Sequence, residues 1–116
     1  MIKIEVDEAY AFDMLAITEV KARYGNTGWE QYQALYEQII SALDEKMTNF
    51  IVHSDEYHKL FGANLDVFKY IEELNKGNLK ITGLKVHHAN MDRYKYKRDL
   101  QNKFFNSELT EQKTKY

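Results

Sequence analysis

The sequence predicts an all-α domain, a three- or four-helix bundle with a short extended arm at its N-terminus. The chain contains no proline, a residue that helix interiors exclude because it lacks the amide hydrogen and clashes with the preceding turn. Apolar residues recur every three or four positions through most of the chain, which is the spacing of one helix face. Glycines and capping residues separate these periodic segments.

We predict a single domain over residues 1–106 and a flexible tail over residues 107–116. The length of 116 residues is typical of one domain, and neither an internal repeat nor a linker divides the chain. The helical periodicity ends after Asn106, which favours a frayed tail. No apolar run reaches the roughly 18 residues of a membrane span. The start lacks a secretory signal pattern, and without cysteine no disulfide can form, so we expect a cytoplasmic protein.

Residues 1–6 alternate apolar and charged side chains, which is the period of a strand. No second strand follows, so we expect an extended arm, or a strand that pairs with its copy across a dimer axis. The first helix is predicted to begin after Asp7, a capping residue, and to end near Gly25, which accepts a left-handed backbone. It is apolar on two sides, so Asp13 and Glu19 fall near the interior, where at least one needs a cation.

Thr27 and Glu30 form the ends of a capping box, which predicts the start of a second helix. This helix is expected to continue to about Val52 as one element of about 36 Å. The early part of its apolar stripe has the 3-4-3-4 spacing of a coiled-coil seam, and the stripe comprises Trp29, Tyr32, Tyr36, Ile39, Leu43, Met47 and Phe50. A helix this long extends beyond a small monomer, so we predict a homodimer through this helix or through the N-terminal arm.

Ser54, or the aspartate after it, is expected to cap a third helical stretch that ends at Gly77. The Gly-Ala-Asn sequence at residues 62–64 leaves open whether this stretch is one helix or two. Thr82 is then expected to cap a final helix over residues 84–105.

The final helix carries Asn90, Arg93 and Lys97 at positions i, i+3 and i+7, on a side where apolar residues also fall. Unpaired buried charges are too costly, so the two cations must meet a partner. In one interpretation they join an internal polar network, whose other candidate members are Glu19, Asp13 and Asn64. In the other, Arg93 and Lys97 hold a phosphate or a carboxylate that Asn90 orients.

The charge is divided unevenly along the chain, with −7 over residues 1–76 and +5 over residues 77–116. The two parts can attract each other, within a chain or between subunits, or the basic part can face an anionic ligand. Basic and aromatic side chains mix over residues 85–103, a combination that can bind nucleic acid. Two aspartates interrupt this segment, the pI is near 6.1 and no nucleic-acid motif occurs, which disfavours that function.

No metal, cofactor or catalytic site is predicted. The four histidines include no pair at i, i+3 or i+4, the spacing that a metal site on one helix needs. Glu72 and Glu73 are similar to the acidic clusters that bind magnesium in all-helical nucleotide pyrophosphatases, but no second cluster accompanies them. The sequence contains no glycine-rich phosphate loop and no nucleophile elbow. It therefore favours a non-enzymatic protein.

Three short segments carry a resemblance to known proteins. They are LAITEVK at residues 15–21, ANLDVF at residues 63–68, and NMDR at residues 90–93 followed by Lys97. In these segments, which spread over most of the chain, the sequence resembles a group of small helical proteins from bacteria and marine phages. The resemblance implies a helical fold and a phage origin, and it implies no activity.

The sequence supports three hypotheses for function. The first is a non-enzymatic structural or protein-interaction module. The alternative is a helical protein that binds or processes a small phosphate or nucleotide ligand with Arg93 and Lys97. The third is nucleic-acid binding through the basic helix over residues 85–103.

Overall fold

The computed structural model describes residues 6–78 and 83–105 and contains five helices in these two ranges. They are α1 (Glu8–Gly25), α2 (Trp29–Leu43), α3 (Glu45–Val52), α4 (Asp55–Asn75) and α5 (Gly83–Phe104). Neither range contains a strand, so the all-α prediction is confirmed, with five helices in place of three or four. The predictions for residues 1–5, for the cap at Thr82 and for the tail over 107–116 lie outside the described residues.

The additional helix arises at Asp44, where the predicted second helix breaks into α2 and α3. The Asp44 backbone has φ +124° and ψ 165°, which no helix contains. Its side chain accepts a hydrogen bond from the Met47 amide at 2.7 Å, and its carbonyl accepts one from the Thr48 hydroxyl at 2.6 Å. An aspartate side chain that accepts a hydrogen bond from a nearby backbone amide competes with the hydrogen bonds of a continuous helix, and it favours the start of a new helix. The prediction of one continuous helix to Val52 was therefore wrong.

The bounds of α1 and α4 agree with the sequence, but the left-handed residue after α1 and the residue that precedes α2 differ from those predicted. Ser54 caps α4 by accepting a hydrogen bond from the Tyr57 amide at 3.2 Å, as predicted. At the other end of α4, Gly77 has φ +79°, and the amides of residues 77 and 78 donate to carbonyls of the last turn at 3.0 Å. Asn26 is the left-handed residue after α1, not Gly25, and Gly28 precedes α2 without any side-chain cap.

The helix α1 lies at the centre of the molecule and packs against α2, α4 and α5. Its fully buried residues include Phe12, whose ring lies 6.5 Å from that of Tyr57 and 6.2 Å from that of Phe105. This arrangement joins three helices through one aromatic side chain. The core cluster around it consists of Ala9, Phe12, Leu15, Ala16, Ile39, Ile51, Tyr57, Leu60 and Leu100.

The helices α1 and α5 run antiparallel. Near the start of α1, the Ala9 amide donates to the Gln101 side-chain oxygen at 2.9 Å. One turn further along α1, Asp13 lies beside Arg93, which is earlier in α5. The helices α4 and α5 are also antiparallel, because Lys103 near the end of α5 pairs with Glu56 at the start of α4.

Candidate functional site

A polar network of largely buried side chains connects α1, α4 and α5. The Asp13 carboxylate accepts a hydrogen bond from the Asn64 amide at 3.0 Å and lies 3.3 Å from Arg93 Nε. The Asp13 side chain is only 4 % exposed and that of Arg93 is 23 % exposed. Arg93 Nη1 donates to the Asn90 side-chain oxygen at 3.2 Å. Two of the candidate network residues, Asp13 and Asn90, thus contact Arg93, and a third, Asn64, contacts Asp13.

The contact between Arg93 and Asp13 is electrostatic rather than a directed hydrogen bond. Arg93 Nε is buried and finds no hydrogen-bond acceptor, although the Asp13 oxygen is within 3.3 Å. The charge of a carboxylate that is almost fully removed from water still requires a nearby cation. Arg93 supplies this cation, so removing it would leave the buried Asp13 carboxylate without a compensating charge.

Glu19, the other acid of α1 that the sequence singled out, is not part of this network. Its two oxygens accept hydrogen bonds from the Tyr57 hydroxyl at 2.8 Å and from Arg23 Nε at 2.7 Å. Burial, followed by the charge of Glu19, raises the pKa of Tyr57 far above the usual value for tyrosine. Tyr57 therefore remains a protonated donor to Glu19 and is unsuited to acid–base chemistry.

Lys97 occupies a different environment from Arg93, although both lie on the same side of α5. Its ammonium nitrogen is 4.7 Å from the centroid of the Tyr94 ring and 5.9 Å from that of the Tyr10 ring. Within residues 6–78 and 83–105, Lys97 forms no ion pair with a carboxylate. The expectation that both cations meet acids of the first helix therefore fits Arg93 and does not fit Lys97.

Four large apolar side chains around Lys97 are exposed to solvent. Tyr10 and Met14 of α1, and Met91 and Tyr94 of α5, have between 40 % and 55 % of their surface accessible. The Lys97 ammonium lies within 5.9 Å of the centroids of both tyrosine rings, so these rings are close to each other across the α1–α5 seam. Each methionine is one helical turn from its tyrosine and extends the same surface. We call these four side chains, together with Lys97, the α1–α5 surface.

The spacing of exposed side chains on α5 explains why sequence reasoning missed this surface. The exposed residues next to the seam recur at intervals of three and four, and they are Leu84, His87, Met91, Tyr94 and Arg98. This stripe is offset from the half-buried row of Asn90 and Arg93 by one position. The spacing is therefore visible in the sequence, but it does not show that α1 brings Tyr10 next to the stripe.

The charge near the α1–α5 surface is positive. At about 100° per residue, Asp92 and Asp99 project from the side of α5 opposite to Lys97, whereas Arg98 projects beside it. The nearest acid of α1 at the rim is Asp7, one turn before Tyr10. An exposed apolar patch with a basic border is therefore available to an acidic partner.

A concave region lies between the start of α4 and the end of α5 and has a volume of about 340 Å³. It is lined by Glu56, Lys59, Tyr96, Asp99, Asn102 and Lys103. The Lys103 ammonium donates to both Glu56 oxygens at 3.0 Å and 3.1 Å, which lowers the pKa of Glu56. Two acids and two cations leave this cleft without net charge, so it offers no preference for a charged ligand.

Among residues 6–78 and 83–105, no three side chains of histidine, aspartate or glutamate come together in a way that could hold a metal ion. In the same ranges, no helix has the length and apolar character needed to cross a membrane. Comparisons of the chain with protein-family models, with curated proteins and with solved structures give no match. The resemblance to small helical bacterial and phage proteins stays a prediction.

Proposed function

We propose that this chain is a non-enzymatic protein-interaction module that binds an acidic amphipathic helix of another protein along the α1–α5 surface. The observation that carries the proposal is the position of Lys97. Its ammonium group lies within 5.9 Å of the centroids of the exposed Tyr10 and Tyr94 rings and lacks a carboxylate partner among the described residues. Tyrosine and methionine are enriched at protein interfaces, and they supply four of the five side chains of this surface.

A helical ligand fits the arrangement of the exposed side chains. Two antiparallel helices border the surface, and each presents apolar side chains about one turn apart. An amphipathic helix recognised at its i, i+3, i+4 and i+7 positions can pack along such a pair of helices. Methionine side chains are unbranched and flexible, so Met14 and Met91 can adapt to the apolar stripe of the ligand.

An acidic ligand is favoured over a second copy of the same surface. In a symmetric dimer through this surface, the Lys97 and Arg98 side chains of one copy would approach those of the other, and like charges would oppose association. Carboxylates beside the apolar stripe of a ligand would instead neutralise these cations. The homodimer through the second helix or the N-terminal arm stays a separate prediction, which light scattering at micromolar concentration decides.

The test uses a designed, labelled helical peptide of about 18 residues, or about five turns, with leucine at 3-4 spacing and glutamate on both sides. We expect fluorescence anisotropy to detect binding of this acidic peptide. The Tyr94→Ala variant should bind it roughly tenfold more weakly, because exposed aromatic anchors dominate interface affinity. The matched control is Trp29→Ala, which removes a similarly exposed aromatic side chain from α2 and should change the affinity less than about twofold.

Three outcomes would contradict the proposal. The first is no binding of the acidic peptide up to about 1 mM, which is weaker than a specific interface provides. The second is an equal loss of affinity in the Tyr94→Ala and Trp29→Ala variants. The third is tighter binding of a single-stranded oligonucleotide, with a steep dependence on salt, which would indicate a nucleic-acid-binding protein.

A further inference from the structure

We infer that Lys97 determines the specificity of the α1–α5 surface by binding one carboxylate of the docked helix between the rings of Tyr10 and Tyr94. This inference rests on the proposed function, because it names the chemical group that the same surface recognises. It commits the partner to an aspartate or glutamate at one defined position of its helix. The remaining acids of the partner would act only through long-range attraction.

Two other cations on α5 already have a carboxylate partner, which supports this assignment. Arg93, one turn before Lys97, already lies beside Asp13 and donates to Asn90. Lys103 already pairs with Glu56. All three cations lie near aromatic rings, but Lys97 differs from the other two because it has no carboxylate partner within the described part of the chain. An ammonium group has three donors and no acceptor, so an anion satisfies it better than any ring does.

The antiparallel register of α1 and α5 explains why Lys97 has no acid opposite it. Arg93 is level with Asp13, and Gln101, two turns further along α5, donates to the Glu8 carboxylate at 2.9 Å. Between these two levels, α1 presents Tyr10 instead of an acid. The acids of α1 at these two levels, Asp13 and Glu8, are therefore engaged by neighbours of Lys97, and the position at Lys97 is left for a carboxylate from outside the chain.

The two rings favour a carboxylate on a short apolar stem. Both rings lie within 5.9 Å of the Lys97 nitrogen, so a group that reaches the ammonium also contacts them. The edge of an aromatic ring is electropositive, and it attracts a carboxylate oxygen, while the ring face packs against methylene groups. The side chains of aspartate and glutamate combine these two parts.

The test replaces each glutamate of the acidic peptide by glutamine, one at a time, and measures binding to the wild type and to two variants. On the wild type, one substitution should weaken binding roughly tenfold and the others much less, because a charge-assisted hydrogen bond is lost. The Lys97→Met variant keeps the apolar stem of the side chain. It should bind the glutamine-substituted peptide that is weakened on the wild type and the unsubstituted acidic peptide with affinities within about twofold of each other. The control variant Lys95→Met changes the opposite side of α5. It should keep the roughly tenfold preference for the unsubstituted peptide over that glutamine-substituted peptide.

Three results would overturn the inference, and each differs from failure of the proposed function, in which the acidic peptide does not bind at all. If Lys97→Met keeps the wild-type preference for the unsubstituted peptide, the carboxylate is recognised elsewhere and the inference is overturned. The proposed function would still stand in that case if Tyr94→Ala weakens binding. If all glutamine substitutions have equal small effects, the recognition is non-specific and the inference is also overturned. If inorganic phosphate alone raises the melting temperature of the wild type and not of Lys97→Met, Lys97 binds a free anion, which again overturns it. The Lys97→Arg variant, which keeps the charge, should retain most of the preference.

Discussion

Replacing Arg93 with leucine is expected to lower the free energy of unfolding by about 3–5 kcal/mol, which is the usual cost of removing one partner of a buried ion pair. The Asp13 side chain is 4 % exposed and would lose the cation that lies 3.3 Å away. Its remaining contact, the hydrogen bond from Asn64 at 3.0 Å, does not neutralise its charge. Urea denaturation followed by circular dichroism measures the change.

Two further variants separate this effect from a general sensitivity to lost cations. Arg23→Leu removes a guanidinium group that also pairs with an acid of α1, at 2.7 Å, but lies mostly in water. It should cost less than about 1 kcal/mol, as exposed pairs do. Adding Asp13→Asn to Arg93→Leu should recover most of the stability, because the uncharged amide no longer needs a cation. Equal costs for Arg93→Leu and Arg23→Leu would show that Asp13 does not depend on Arg93.

Replacing Phe12 with alanine is expected to destabilise the protein by about 3–5 kcal/mol, the usual cost of removing a buried phenylalanine. Phe12 is completely buried, and its ring contacts Tyr57 of α4 and Phe105 after α5. The cavity would therefore open where three helices meet, and no single helix could move to fill it. Urea denaturation again provides the measurement.

The matched control for Phe12→Ala is the same substitution at Phe50. Phe50 is 66 % exposed on α3, where its ring meets that of Phe104 edge-on at 5.9 Å. Truncation there removes little buried surface and should cost less than about 1 kcal/mol. A larger loss of stability at Phe50 than at Phe12 would mean that the core is not centred on α1.

The pairing of Arg93 with an acid of α1 could be predicted from the sequence, because helix geometry and the cost of a buried charge both require it. The spacing of Asn90 and Arg93 sets them on one side of a helix, and the cost of an unpaired buried charge requires an acid opposite. The sequence could not decide between Asp13 and Glu19 as that acid. The choice depends on how α1 is rotated against α5, and side chains from three helices determine this rotation.

The break at Asp44 and the environment of Lys97 escaped prediction for different reasons. The apolar stripe of the second helix continues at helical spacing across Asp44, so periodicity alone does not reveal the local hydrogen bonds that end α2. Lys97 shares a helix side with Arg93, but its partner depends on the register of α1, which brings Tyr10 to that level. Sequence spacing within one helix carries no information about the register of another.

The methionine methyl groups provide the most direct measurement of where an acidic helix binds. The chain contains four methionines, of which Met14 and Met91 belong to the α1–α5 surface. Met47 of α3 packs against the core and serves as an internal control. With ¹³C-labelled methyl groups, titration of the acidic peptide should shift the Met14 and Met91 signals with one common Kd and leave the Met47 signal in place. A shift of the Met47 signal alone, or unchanged Met14 and Met91 signals at saturating peptide, would contradict binding at the α1–α5 surface.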